Sequence, residues 1–101
     1  MSGKDTIKSI AKGMTTEKAN DVLKENGLNG RDEKFMYMLL GRMQSDCKFF
    51  LGFGGRYAPS LWAKEVTRHI TIMLALWTAL SEKPTWCTYD NIIAYGIEMA
   101  D

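Results

Sequence analysis

Between Trp62 and Leu80, one helical face carries Trp62, Val66, His69, Ile70, Met73, Trp77 and Leu80, and Leu74 and Leu76 occupy the other sides. A segment that is apolar almost all round suits no water-facing position, so it must sit in the middle of a helical assembly. The remaining segments must then be elements that cover it. The spacing predicts a helix over residues 61–82, capped by Ser60 and broken by Pro84. No strand-like alternation longer than about four residues competes with it, although Lys48–Gly52 and Trp86–Cys87 leave room for a short strand.

Asp32 is placed to cap a second long helix ending near Phe50. Phe35, Met38, Leu39, Met43 and Cys47 are expected on its inner side, with Arg42, Ser45, Asp46 and Phe49 on a neighbouring face. Gly41 costs roughly 1 kcal/mol against Ala in a helix interior, and its small size invites another backbone to approach. Thr88 caps a last helix over about 89–99, where Ile92, Ile93, Tyr95 and Ile97 are available for packing and Trp86 pins the entry. Two shorter patterns precede these. One spans 1–14, with Asp5 as cap, Ile7 and Ile10 on one face and Gly13 as stop. The other spans 16–26, with Thr16 as cap, Ala19, Val22 and Leu23 as stripe and Gly27 after its end. Helices this short are marginal alone and must dock on the rest. The expected fold is mostly α: a compact bundle of four to five helices, its two long ones joined by a glycine-rich loop. Residues 1–30 read as an N-terminal helical extension and 31–101 as a helical core domain.

The 101-residue chain is long enough for one core and too short for two domains. Its net charge of +1 argues against a generic nucleic-acid binder, which draws affinity from phosphate neutralisation, and against an acidic DNA mimic. The longest apolar run, Ile72–Trp77, falls far short of a membrane span, and the N-terminus lacks the apolar stretch of a signal peptide. The expectation is a cytoplasmic protein that engages no membrane and keeps Cys47 and Cys87 reduced. One His and two Cys without CxxC or HExxH spacing imply neither a metal nor a cofactor. Cys47 and His69 are the minimum for thiolate chemistry. Both lie in apolar stripes, however, where packing accounts for them, and the reading is non-enzymatic.

Two features suggest a ligand. In Gly52-Phe53-Gly54-Gly55-Arg56-Tyr57, backbone N–H groups and an arginine fork suit a phosphate, and a tight connection explains the same residues equally well. Arg42, Ser45, Asp46, Arg56, Tyr57, Trp62, His69 and Trp77 form a mixture that suits a nucleotide: stacking rings, a carboxylate for ribose and arginines for phosphate. An Arg42–Asp46 pair on a solvated helix face is the competing explanation.

Leu40-Gly41-Arg42, Ser45-Asp46-Cys47, Phe50-Leu51-Gly52 with Gly54, then Leu61-Trp62, His69, Met73, Trp77, Pro84 and Trp86 resemble a known family. It is the large polyvalent protein-associated domain family, eleventh type, and the likeness covers about residues 35–99. The resemblance implies a phage or mobile-element setting and a site in the host cell cytoplasm, and it brings no settled activity. Its pattern includes Arg42, Ser45, Asp46, Trp62, His69 and the loop glycines. The expected function is sequestration of a small nucleotide-like host immune signal by an anti-defence protein. The class-level alternative is an inhibitor or interaction module acting on a host defence protein. A homo-oligomer is expected, because so small a domain offers little concave volume.

Overall fold

The computed structural model describes residues 3–100. Among them are five α-helices: α1 (Gly3–Gly13), α2 (Thr16–Glu25), α3 (Glu33–Leu51), α4 (Val66–Ala79) and α5 (Tyr89–Met99). A 3-10 turn covers Ala58–Ser60, and no strand occurs among the described residues, so neither short strand forms. The mostly-α bundle is as expected, and the two long helices are joined by the glycine-rich segment.

α4 is the axis of the molecule and packs against α1, α2, α3 and α5. Half of it is buried: His69, Ile70, Ile72, Met73, Leu74, Ala75 and Leu76. Asp32 caps α3 through its side chain, which accepts the Phe35 N–H at 2.8 Å. Thr88 and Asn91 form a reciprocal capping box at the start of α5. The cap of α2 is Thr15 rather than Thr16, its hydroxyl taking the Lys18 N–H at 3.1 Å. Asp5 lies inside the first turn of α1, where its charge favours the helix dipole. Gly27 follows the end of α2 at φ +70°, as its predicted position requires.

Two boundaries differ from the sequence expectation. α4 begins at Val66, and Ser60 does not cap it; the Ser60 hydroxyl donates to the Tyr57 carbonyl instead. Leu61 and Ala63 are both buried. The chain from Leu61 to Glu65 runs as a turn rather than a helix. Lys64, at φ +67°, completes that turn. At the other end, α4 stops at Ala79. The Lys83 ammonium binds the Trp77, Thr78 and Leu80 carbonyls there. The Glu33 carboxylate takes the Ser81 N–H and hydroxyl, joining the end of α4 to the start of α3.

α3 is rotated relative to the predicted face. Its buried residues are Met36, Leu39, Leu40, Met43, Cys47 and Phe50. Phe35 and Met38, expected inside, are 36% and 64% exposed. Gly41 admits a side chain rather than a backbone: a Cβ there would stand 3.6 Å from the Trp86 ring. Trp86 also donates its ring N–H to the Tyr37 hydroxyl and crosses that ring edge-on at 5.1 Å.

Residues 3–28 share the core of the later helices. Ile7, Ala19, Val22, Leu23 and Leu28 are all buried, and α2 packs extensively on α4. Gly96 of α5 lets α1 in, because a Cβ there would fall 2.7 Å from the Ile7 Cγ2.

Candidate functional site

The polar and aromatic residues singled out in the sequence separate into three groups. Arg42, Asp46 and Trp62 form one network where α3 meets the segment leading into α4. The Asp46 carboxylate accepts the Trp62 backbone N–H at 2.9 Å and faces the Arg42 Nε at 3.5 Å. This carboxylate holds a partly buried N–H that the non-helical turn would otherwise leave unpaired. The Arg42 side chain is 65% exposed, so its ion pair is screened and weak. Ser45 is exposed on the outer side of α3.

The second group is the glycine-rich loop. The N–H groups of Gly52, Gly54, Gly55, Arg56 and Tyr57 donate to carbonyls of Lys48, Phe49, Gly52, Phe50 and Gly54 respectively. These five donors are turned inward and are unavailable to an anion. A Cβ on Gly54 would fall 2.7 Å from the Phe49 carbonyl oxygen, so this approach requires glycine. Gly55 and Arg56 adopt φ of 59° and 61°. The Arg56 guanidinium stands 6.0 Å above the Phe50 ring centroid, one turn along α3 from Asp46, and Tyr57 beside it is 64% exposed.

The third group is internal. His69 has no exposed surface. The Ala63 N–H points at its Nδ1 at 3.5 Å, and its Nε2 lies 3.0 Å from the Met43 carbonyl. That pattern fixes the tautomer protonated at Nε2, which donates to Met43. Burial holds the imidazole pKa below its ordinary value, against weaker upward pulls from Met43 and Asp46. Trp77 lies two turns further along α4, about 12 Å from His69. Its ring N–H donates to the Cys87 carbonyl, Tyr89 packs on it at 5.2 Å, and Lys83 sits 4.8 Å above it. Neither His69 nor Trp77 shares a surface with Arg42 and Arg56.

Thiolate chemistry has no support here. Burial pushes the Cys47 thiol up to about 12 and the Cys87 thiol up to about 11. The Cys47 Sγ lies 3.6 Å from the Met73 Sδ.

Concavities among the described residues lie elsewhere. One of about 340 Å³ lies between α2 and the start of α3 above Leu23, Leu28 and Met36. One of about 470 Å³ separates α2 from α4 around Asn26 and Arg68. One of about 200 Å³ opens beside Tyr37, Met38 and Leu80. None of the three is lined by Arg42, Asp46, Arg56, Tyr57 or Trp62. No helix among the described residues is long and apolar enough to cross a membrane.

The residues missed by the sequence reading are apolar. Met38, Phe49 and Phe53 are 64%, 50% and 99% exposed. Met38, Arg42, Ser45 and Phe49 fall at i, i+4, i+7 and i+11, a single outward stripe of α3, and the loop folds against Phe49 at its end. One signal for this was present: Phe53 stands alone among glycines, where no helix face exists to bury it.

The fold and this surface define a small all-helical domain with an internally fastened loop and an aromatic, basic helix face turned to solvent. The chain belongs to the family described as Large polyvalent protein-associated domain 11, whose model matches residues 33–99. None of the curated proteins and none of the solved structures matches it.

Proposed function

We propose that this domain works by binding, as an interaction module whose working face is the outer stripe of α3 together with the loop tip. The observation that carries this reading is the exposure of Met38 and Phe53, large apolar side chains for which the fold has no internal use, together with the open half of Phe49, whose other half receives the loop at Gly54. The phage or mobile-element setting implied by the family makes a host defence protein the fitting partner. The experiment is a pull-down from host lysate with the full chain and with a Met38→Glu/Phe49→Glu variant. The wild type retains a stoichiometric protein, and the variant loses it while keeping the helical far-UV circular dichroism of the wild type. A partner held equally by both proteins, or no partner, ends this reading.

A second reading, sequestration of a nucleotide-like immune signal, is favoured by one observation. Arg42, Asp46, Arg56 and Tyr57 lie around one junction, and the side chains of Arg42 and Tyr57 are mostly exposed. That junction is open, so a second copy of the chain would have to supply the opposite wall. Isothermal titration against cyclic nucleotides and ADP-ribose derivatives tests it. Binding weaker than about 10 μM, roughly 7 kcal/mol, ends it.

A further inference from the structure

The charges around the α3 stripe are unequal in a way the overall composition hides. Between residues 31 and 57 the acids are Asp32, Glu33 and Asp46. Each already has an internal partner. Asp32 holds the Phe35 N–H, Glu33 holds Ser81, and Asp46 holds the Trp62 N–H beside Arg42. The cations of the same stretch are Arg31, Lys34, Arg42, Lys48 and Arg56. Lys34 and Lys48 make no ion pair among the described residues. Arg31 and Arg56 lie over Phe35 and Phe50 at 4.8 and 6.0 Å, which leaves their charge uncompensated. Each acid of this stretch carries a hydrogen bond from the scaffold, and of its bases Arg42 alone faces a carboxylate among the described residues.

The apolar part of this face is large for so small a domain. The exposed fractions of Phe35, Met38, Phe49, Phe53 and Tyr57 correspond to roughly 600 Å² if a large side chain offers about 200 Å² when fully exposed. Arg42 and Ser45 divide this area, so it is two apolar ends of one ridge rather than a single patch, and with the polar residues between them it approaches one side of a standard interface. The stripe is a ridge on one helix, and a second helix packs on such a ridge by interdigitation. The notch beside Met38, walled by Tyr37 and Leu80, gives one end of that path a recess, and because Glu33 and Glu82 also line it beside Lys34, it suits an apolar side chain of the partner rather than a carboxylate. A second copy of the same face would bring like charges together, which is costly at a desolvated contact.

Resting on the reading of α3 as the working face, we infer that it takes an acidic amphipathic segment of a partner protein. The apolar side chains of that segment lie along Met38 and Phe49, and its carboxylates lie against Lys34, Arg42, Lys48 and Arg56.

The test is a titration of the ¹⁵N-labelled full chain, followed by amide shifts, with three probes. The first is a helix-forming peptide of about five turns with leucines at i, i+3, i+4 and i+7 and glutamates elsewhere. The second is its twin with lysine for glutamate, and the third is a single-stranded oligothymidylate. The acidic peptide moves the amides of α3 and the loop, and the other two bind at least tenfold more weakly. Arg42→Glu with Lys48→Glu weakens the acidic peptide about tenfold. Equal binding of the lysine twin overturns the charge selection alone, and the α3 docking reading survives it. Tighter binding of the oligothymidylate assigns the face to nucleic acid. Dimerisation through α3, seen as concentration-dependent shifts without any probe, assigns it to a second copy. Absence of α3 shifts with both peptides overturns the inference. The docking reading itself falls only if the lysate pull-down is indifferent to Met38→Glu/Phe49→Glu.

Discussion

Gly96→Ala is the sharpest test of how the N-terminal helices enter the core. Gly96 lies inside α5, where glycine is roughly 1 kcal/mol worse than alanine. On propensity alone the substitution stabilises. The added Cβ, however, falls 2.7 Å from the Ile7 Cγ2 and 3.1 Å from the Ile70 Cγ2. Ile7 and Ile70 are both fully buried, so neither can swing into open space. Overpacking of this kind costs about 1–3 kcal/mol, and the expected net effect is a loss of about 1 kcal/mol. For a domain of this size that lowers the melting temperature by about 4–8 °C. Ile7→Ala removes the Cγ2 and should itself cost about 2–5 kcal/mol. In that background the closest clash is gone and Gly96→Ala should become neutral or favourable by up to about 1 kcal/mol. The two substitutions are therefore coupled by about 1–2 kcal/mol, above the roughly 0.5 kcal/mol scatter of independent sites. Ile7→Val is the control, because valine retains a γ-methyl at the contact and should leave the Gly96→Ala penalty largely in place. Urea unfolding followed by far-UV circular dichroism and Trp fluorescence measures all of these. Additive effects, or a Gly96→Ala protein more stable than wild type, would refute the packing of α1 on α5.

Two further outcomes follow from the fastening of the loop. Asp46→Ala strands the Trp62 N–H and should cost about 1.5–3 kcal/mol, whereas Arg42→Ala, which removes only a screened surface pair, should cost less than about 1 kcal/mol; equal urea midpoints for the two variants would contradict this. His69 is the chain's only histidine, and its folded-state pKa is depressed below 6.5 by burial. The unfolded chain therefore binds the proton first as pH falls, and stability drops below about pH 6.5 by up to about 1.4 kcal/mol per pH unit. His69→Gln should remove that slope in urea midpoints measured from about pH 7 to 5, leaving the Glu33 contribution to fade only at lower pH as that carboxylate protonates; an unchanged slope would place the proton elsewhere.

The legible parts of this sequence were those with a local chemical cause. Asp32 and Thr88 are good caps followed by apolar periodicity, and both helices start where they should. At α2 two adjacent threonines can cap, and the choice between them depends on docking. α4 was recognised as central by its composition. Its start is not legible because the contacts that hold the preceding turn in place, Trp62 N–H to Asp46 and Ala63 N–H to His69, are tertiary. The rotation of α3 was not legible at all. Residues 35–40 read Phe-Met-Tyr-Met-Leu-Leu, so several faces satisfy a 3.6 repeat, and only the positions of α4 and α5 decide which one is buried. The exposure of Met38 and Phe49 depends on that decision. The polar set suffered from the opposite problem. Residue type suggested a ligand, but His69 and Trp77 bond to backbone carbonyls inside the fold, which composition does not reveal.

The pattern that carries the family likeness is largely a set of fasteners. Gly41 receives Trp86, Asp46 ties the entry to α4, Gly54 admits the Phe49 carbonyl, and His69 joins α3 to α4. Cys47, Phe50, Leu61, Ile70 and Met73 fill the core. A chain matching such a pattern is constrained to build this bundle, and the match alone says little about what the bundle touches. Two residues of the pattern escape this account. Ser45 is exposed, and Arg42 makes only a long contact to a carboxylate already held by Trp62. Lys48, Phe49 and Phe53 occupy positions that the pattern leaves open, and all three are exposed. Packing does not require the side chains of Arg42, Ser45, Lys48 and Phe53, so these can change without loss of the fold, whereas the Phe49 ring also backs the loop at Gly54.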